Sequence, residues 1–191
     1  MRKLLFLLII FTASLSSRAG ELDIEQQSKD STIVTDIASE SKPFDISIQQ
    51  LGESNNIALS VDSHLSGVIE QVGIGGLIQL SSAGTTQQLS IHQGGDSNET
   101  TIDLIGNDLH TTVSQTGEDN SIDYEVRGNS NHASLVQSGN DNTILLDQSG
   151  SGNAASLTQE GTGNLLDVSQ YGGGMSLTII QKGINDQIVI K

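Results

Sequence analysis

The sequence predicts an all-β fold, a β-solenoid with two short strands in each 22-residue coil, built from 11-residue half repeats. Three observations carry that prediction. Glycine recurs at Gly73, Gly84, Gly95, Gly106, Gly117, Gly128, Gly139, Gly150, Gly161, Gly172 and Gly183 in unbroken 11-residue register, although glycine fills only 21 of 191 positions. Between these glycines, inward and outward residue types alternate with period two, the side-chain period of a strand rather than a helix. Glutamine also stands at Gln71, Gln93, Gln115, Gln137, Gln159 and Gln181, spaced by 22 residues, while the 11-shifted series reads Ser82, Leu104, Val126, Gln148 and Gln170.

The last observation separates a solenoid from a meander of hairpins. A meander of 11-residue units gives no reason for residues 22 apart to match more strictly than residues 11 apart. In a solenoid, residue i lies on residue i+22, about 4.8 Å away, where identical amides hydrogen-bond up and down a column. An unpaired buried glutamine costs about 1–3 kcal/mol, so a glutamine column fixes the register of the coils.

Taken in chain order, the first element is a leader. Met1-Arg2-Lys3 precedes an apolar run from Leu4 to Ala13 and a small-residue stretch in which Ser17-x-Ala19 fits a cleavage site before Gly20. Residues 1–19 are therefore expected to be a secretory signal peptide, too short in its apolar part for a comfortable transmembrane span. Their removal takes away Arg2, Lys3 and Arg18 but no acid, moving the formal charge from −15 to −18. A chain this acidic repels nucleic acid and anionic lipid, so neither is an expected partner and no membrane insertion is expected.

Residues 20–43 form an acidic segment outside the clean repeat, closed by Pro43, in which "ELDIEQ" and "STIVTDI" alternate in the manner of strands. The repeat domain is assigned to residues 44–191. Its inward positions begin with Phe44, Ile46, Ile48 and Gln50, continue with Asn55, Ile57, Leu59 and Val61, and lose one residue between Gly52 and Gly73. In the middle of the chain the same four places hold Asn131, Ala133, Leu135 and Gln137, then Asn142, Ile144, Leu146 and Gln148, then Asn153, Ala155, Leu157 and Gln159. The pattern ends with Met175, Leu177, Ile179 and Gln181, and with Asp186, Ile188 and Ile190, giving roughly thirteen strands. Tetrads such as "GNDN", "GSGN" and "GTGN" supply the Gly, Asn and Asp that tolerate positive φ in tight turns.

Candidate chemistry is sparse. There is no Cys, which excludes a disulfide framework and thiolate metal sites, and no Ser-His-Asp arrangement, HExxH, phosphate loop or paired-carboxylate motif. The chain is thus read as a non-enzyme with no cofactor and no metal. His110 and His132, 22 residues apart on the outward face, are read as solvated residues that metal or protonation would affect. Asp96, Asp119 and Asp141 sit in turns, yet a calcium-binding nonapeptide solenoid requires a period of about nine. Flat threonine arrays of ice-binding solenoids are also missing, because the outward columns mix Thr with Glu, His, Asp and Ser. A calcium-responsive or ice- or surface-binding secreted module remains the alternative function.

Gln-x-Gly-x-x-Asn followed by alternating small or apolar residues and a further Gln resembles the curlin repeat, over roughly residues 44–191. On that motif, the ladder residues are Gln71, Gln93, Gln115, Gln137, Gln159 and Gln181 with Asn98, Asn120, Asn142 and Asn164. A second side carries Gln148, Gln170, Asn131 and Asn153. The resemblance implies a secreted subunit of curli, the extracellular bacterial amyloid fimbriae that serve cell adhesion and biofilm matrix. It implies self and other curlin subunits as partners in a homo- or heteropolymer, together with the outer-membrane curli secretion machinery, for which residues 20–43 would be the recognition segment. Leu104 and Val126 in place of Gln, Met175 in place of Asn and the ending "SLTIIQKGINDQIVIK" resemble the minor, nucleating subunit, although its strongly basic last repeat is missing.

Overall fold

The computed structural model describes residues 10–15, 21–37, 45–62 and 64–191. Phe44, Pro43 and the expected cleavage site at residues 17–20 lie outside them. The described chain is all-β without a helix and winds into a β-solenoid of stacked parallel coils of about 22 residues.

Strands run in chain order as β1 (Ile10–Leu15), β2 (Glu21–Lys29), β3 (Thr32–Ile37), β4 (Asp45–Glu53), β5 (Asn56–Ile57), β6 (Ser60–Val61), β7 (Leu65–Ile74) and β8 (Leu77–Ala83). They continue as β9 (Gln87–Asp96), β10 (Glu99–Ile105), β11 (His110–Glu118), β12 (Ser121–Arg127) and β13 (His132–Asn140). The last five are β14 (Thr143–Ser151), β15 (Ala154–Thr162), β16 (Leu165–Gly173), β17 (Ser176–Ile184) and β18 (Gln187–Ile190). Two parallel sheets result. One stacks β2, β4, β7, β9, β11, β13, β15 and β17, and the other stacks β1, β3, the broken pair β5 and β6, and then β8 to β18 by alternate strands.

From β7 onward the register is the 22-residue step seen in the sequence: His110 pairs with His132, and His132 with Ala154. Upstream the coil length varies. Asp45 pairs with Ser66, a step one residue shorter, and Glu21 pairs with Asp45, a step two residues longer. The alternations at "ELDIEQ" and "STIVTDI" become β2 and β3, a coil stacked on the one that follows.

Between the sheets lies a narrow core formed by every second residue. Ile48, Ile69, Ile91, Val113, Leu135 and Leu157 make one buried apolar column from successive coils. No coil has an interior of its own, because each inward side chain is covered by the coils before and after it. The last coil shows the consequence: Leu177, Ile179, Ile188 and Ile190 pack on the core yet are only partly buried.

Candidate functional site: amide columns and open ends

The corners determine where the amides can go. Each of the eleven register glycines has positive φ, for example +118° at Gly139 and +126° at Gly161. A Cβ on Gly139 would overlap the carbonyl oxygen of Gly161, and a Cβ on Gly117 would overlap that of Gly139. Glycine is thus required by close approach of one coil to the next as well as by its dihedral freedom. Two residues later comes a left-handed turn residue, such as Ser97, Asp119, Asp141 or Asn185. Asp96 ends β9, whereas Asp119 and Asp141 occupy this turn position.

One residue further on, asparagine turns inward. Asn98, Asn120, Asn142 and Asn164 are at most 1% exposed. Asn120 Nδ2 donates to Asn98 Oδ1 at 3.0 Å and to the Gly139 carbonyl at 2.7 Å. The Asn120 backbone N–H also donates to Asn98 Oδ1. Asn142 and Asn164 repeat the arrangement, each donating to the asparagine before it and to the glycine carbonyl of the next coil, Gly161 and Gly183. The carbonyl that forbids a Cβ on the glycine above is therefore the one the asparagine satisfies.

The glutamine column runs alongside. Gln71 donates to Gln93 at 2.7 Å, Gln93 to Gln115 at 3.0 Å, and Gln115 to Gln137, Gln137 to Gln159 and Gln159 to Gln181 at 2.9 Å each. All six are buried. Sequence spacing hid two further members: Gln26 donates to Gln50 at 2.7 Å and Gln50 to Gln71 at 2.9 Å, through the longer and shorter coils. Every bond points the same way, Nε2 towards the C-terminal coil. Gln181 Nε2, at the end, is buried without a partner. Gln26 spends its Nε2 on Gln50 and the Ser31 carbonyl, leaving Oε1 as the acceptor that heads the column.

The second side is shorter. Gln148 donates to Gln170 at 2.7 Å, and the Asn153 backbone N–H donates to Asn131 Oδ1 at 2.9 Å. Above Gln148 stands Val126, which offers it no hydrogen bond. Tyr124 fills that role from the neighbouring inward position, its hydroxyl donating to Gln148 Oε1 at 2.6 Å. Burial raises the Tyr124 phenol well above the usual tyrosine range, so it stays a donor. The sequence signal was an aromatic on an inward position beside a gap in the glutamine series.

On the outer face, the His110 and His132 rings stack with centroids 4.6 Å apart. Burial first, and the charge of His110 second, lower the His132 pKa. His92 Nδ1 lies 3.1 Å from Glu70 on the same sheet. Among the described residues, no group of three or more His, Asp or Glu is arranged to hold a metal ion.

The profile of the curlin associated repeat matches residues 88–117 and 139–172. Two stretches of the solenoid are thus similar to curlin repeats. The unmatched interval between them contains Tyr124 and Val126, one coil before Gln148, at which the second glutamine column begins. Its strands β12 and β13 nevertheless keep the 22-residue register of the matched curlin repeats on either side. No curated protein and no solved structure matches the chain. The repeat matches and the β-solenoid support a structural subunit of curli type in general.

Proposed function

We propose that this chain is a secreted structural protein that assembles into, or nucleates, extracellular curli-like amyloid fibres serving cell adhesion and biofilm matrix. The observation that carries the reading is the glutamine column, which spans eight coils and stops at a buried, unpartnered donor rather than at a cap. The ends of the stack support it, because Leu22 and Ile24 at one end and Leu177, Ile179, Ile188 and Ile190 at the other pack on the core while remaining partly open. Among the described residues no proline blunts either edge, and the one inward charge of the last coil, Asp186, continues the asparagine column through its backbone N–H to Asn164, so each edge is a template for further strands.

On this reading residues 1–19 direct export, the exported chain begins at Gly20, and residues 20–43 engage an outer-membrane curli secretion machinery. Self and other curlin subunits are the partners. The acidic outer surface keeps the chain soluble until stacking begins.

The test uses purified residues 20–191. Fibres with reflections at about 4.7 and about 10 Å are expected, and fragments of them should shorten the lag of a second protein built of curlin repeats. A chain that stays monomeric at all concentrations and never shortens that lag would overturn the proposal.

A further inference from the structure

Three side chains on the outward face of β9, β11 and β13 stand apart from the amide columns. Gln88, His110 and His132 follow one another in a single outward column, and Ala154 comes next. The two imidazoles are exposed, and their rings stack 2° from parallel with centroids 4.6 Å apart. His110 Nδ1 lies 3.0 Å from Gln88 Oε1. An amide oxygen only accepts, so the ring proton sits on Nδ1 and Nε2 keeps its lone pair. His132 is neutral at pH 7, because burial and then the charge of His110 lower its pKa.

We propose that His110 and His132 together bind one divalent transition-metal ion, Cu²⁺ most tightly, with water completing its shell and Gln88 positioning the first ring. Nitrogen–metal bonds of about 2.0–2.1 Å set two imidazole nitrogens about 2.9–3.4 Å apart, from a right angle to a tetrahedral one. Starting from rings 4.6 Å apart, each Nε2 has to move by only about 0.6–0.9 Å. A tilt that small stays within a staggered rotamer well. The neighbours leave room for it: Ala154 follows His132 with a methyl group, and Thr112 and Ser134 are the next outward residues along β11 and β13.

The ligands select the ion. Imidazole nitrogen suits Cu²⁺, Ni²⁺ and Zn²⁺, in an order that puts Cu²⁺ first, whereas Ca²⁺ and Mg²⁺ take oxygen. Among the described residues no third His, Asp or Glu joins the pair, so the ion keeps positions open to water. His92 is the contrasting case, a single imidazole with Glu70 before it in its column and Ser114 after it. Because the paired ligands are 22 residues apart in sequence, the site belongs to the folded coils and tightens their register where it binds.

Cu²⁺ is titrated into folded residues 20–191 at neutral pH and followed by calorimetry and electron paramagnetic resonance. One ion per chain is expected, its signal split by two nitrogens and not displaced by Ca²⁺. His110→Asn and His132→Asn should each leave one nitrogen and weaken binding about a hundredfold, while His92→Asn changes neither reading. Gln88→Leu should weaken binding about tenfold, and Gln88→Glu, which restores an acceptor for Nδ1–H, should recover it. With Zn²⁺ at about a hundred times its Kd, the ratio of folded to unfolded chain should rise about a hundredfold for the native chain and stay level for His132→Asn. A native signal split by one nitrogen or none, or His132→Asn binding as tightly as the native chain, would overturn the site. Native affinity in Gln88→Leu would remove Gln88 from it. Neither result depends on fibre growth.

Discussion

Replacing Gln137 tests the glutamine column at its centre. Its Oε1 accepts from Gln115 and its Nε2 donates to Gln159, both at 2.9 Å, and the side chain has no exposed surface. Gln137→Leu keeps the volume but removes both bonds and leaves Gln159 Oε1 without that donor, at a cost of about 2 kcal/mol. Gln137→Ala adds an unfilled space in the core and raises the cost to about 3 kcal/mol. Ser134→Ala, on the half-buried outward side of the same strand, should change stability by no more than about 0.5 kcal/mol. The readout is the concentration of free chain left once fibre growth has stopped. At about 1.4 kcal/mol per tenfold, it should rise about a hundredfold for Gln137→Ala and about thirtyfold for Gln137→Leu. It should stay within about twofold for Ser134→Ala. If Gln137→Leu behaved like Ser134→Ala, the amide bonds would contribute nothing and the column would be a packing feature only.

Three further outcomes follow from single sites. Gly139→Ala should block assembly in a seeded fluorescence assay, because its Cβ meets the Gly161 carbonyl, whereas Gly174→Ala, with nothing within 4 Å, should only slow it. Tyr124→Phe removes the donor to Gln148 and should lower the stability of the folded coils by about 1 kcal/mol, read from the guanidinium midpoint of dissociation; an unchanged midpoint would leave Gln148 without need of that hydroxyl. His132, its pKa lowered by burial and by His110, takes up a proton in the unfolded chain before it does so in the folded one as pH falls through about 6.5. Folded coils should therefore lose stability from there downward and be insensitive to this group above it; His132→Asn should flatten the dissociation midpoint between pH 7.5 and 5.5, and an unaltered slope would contradict the assignment.

The sequence disclosed the coil and its inward face because both depend on strict repetition. A glycine that cannot carry a Cβ under the next coil's carbonyl must recur at each corner, and a side-chain period of two then sorts Ala133 and Leu135 from His132 and Ser134 without ambiguity. What repetition did not supply stayed hidden. Gln26 and Gln50 extend the column, but coils of unequal length shift them off the 22-residue spacing. Tyr124 acts only through Val126, since a hydroxyl is needed where a glutamine is missing. The glycines read as turn formers from local propensity alone, whereas the tight turn belongs to residues such as Asp119 and Asp141, and the glycines answer chiefly to the neighbouring coil. The opposed character of the two ends was also out of reach, because the direction of every amide in the column is a property of the stack.

Mass per unit length of the fibre, measured by scanning transmission electron microscopy, tests most directly the claim that each chain is a stack of coils joined end to end. Each coil contributes one strand to the eight-stranded sheet. At about 4.8 Å per coil, one chain should therefore occupy about 38 Å of each protofilament. A value of one chain per about 4.8 Å, as flat chains stacked in register would give, is roughly eightfold denser and would contradict the solenoid as the unit of assembly.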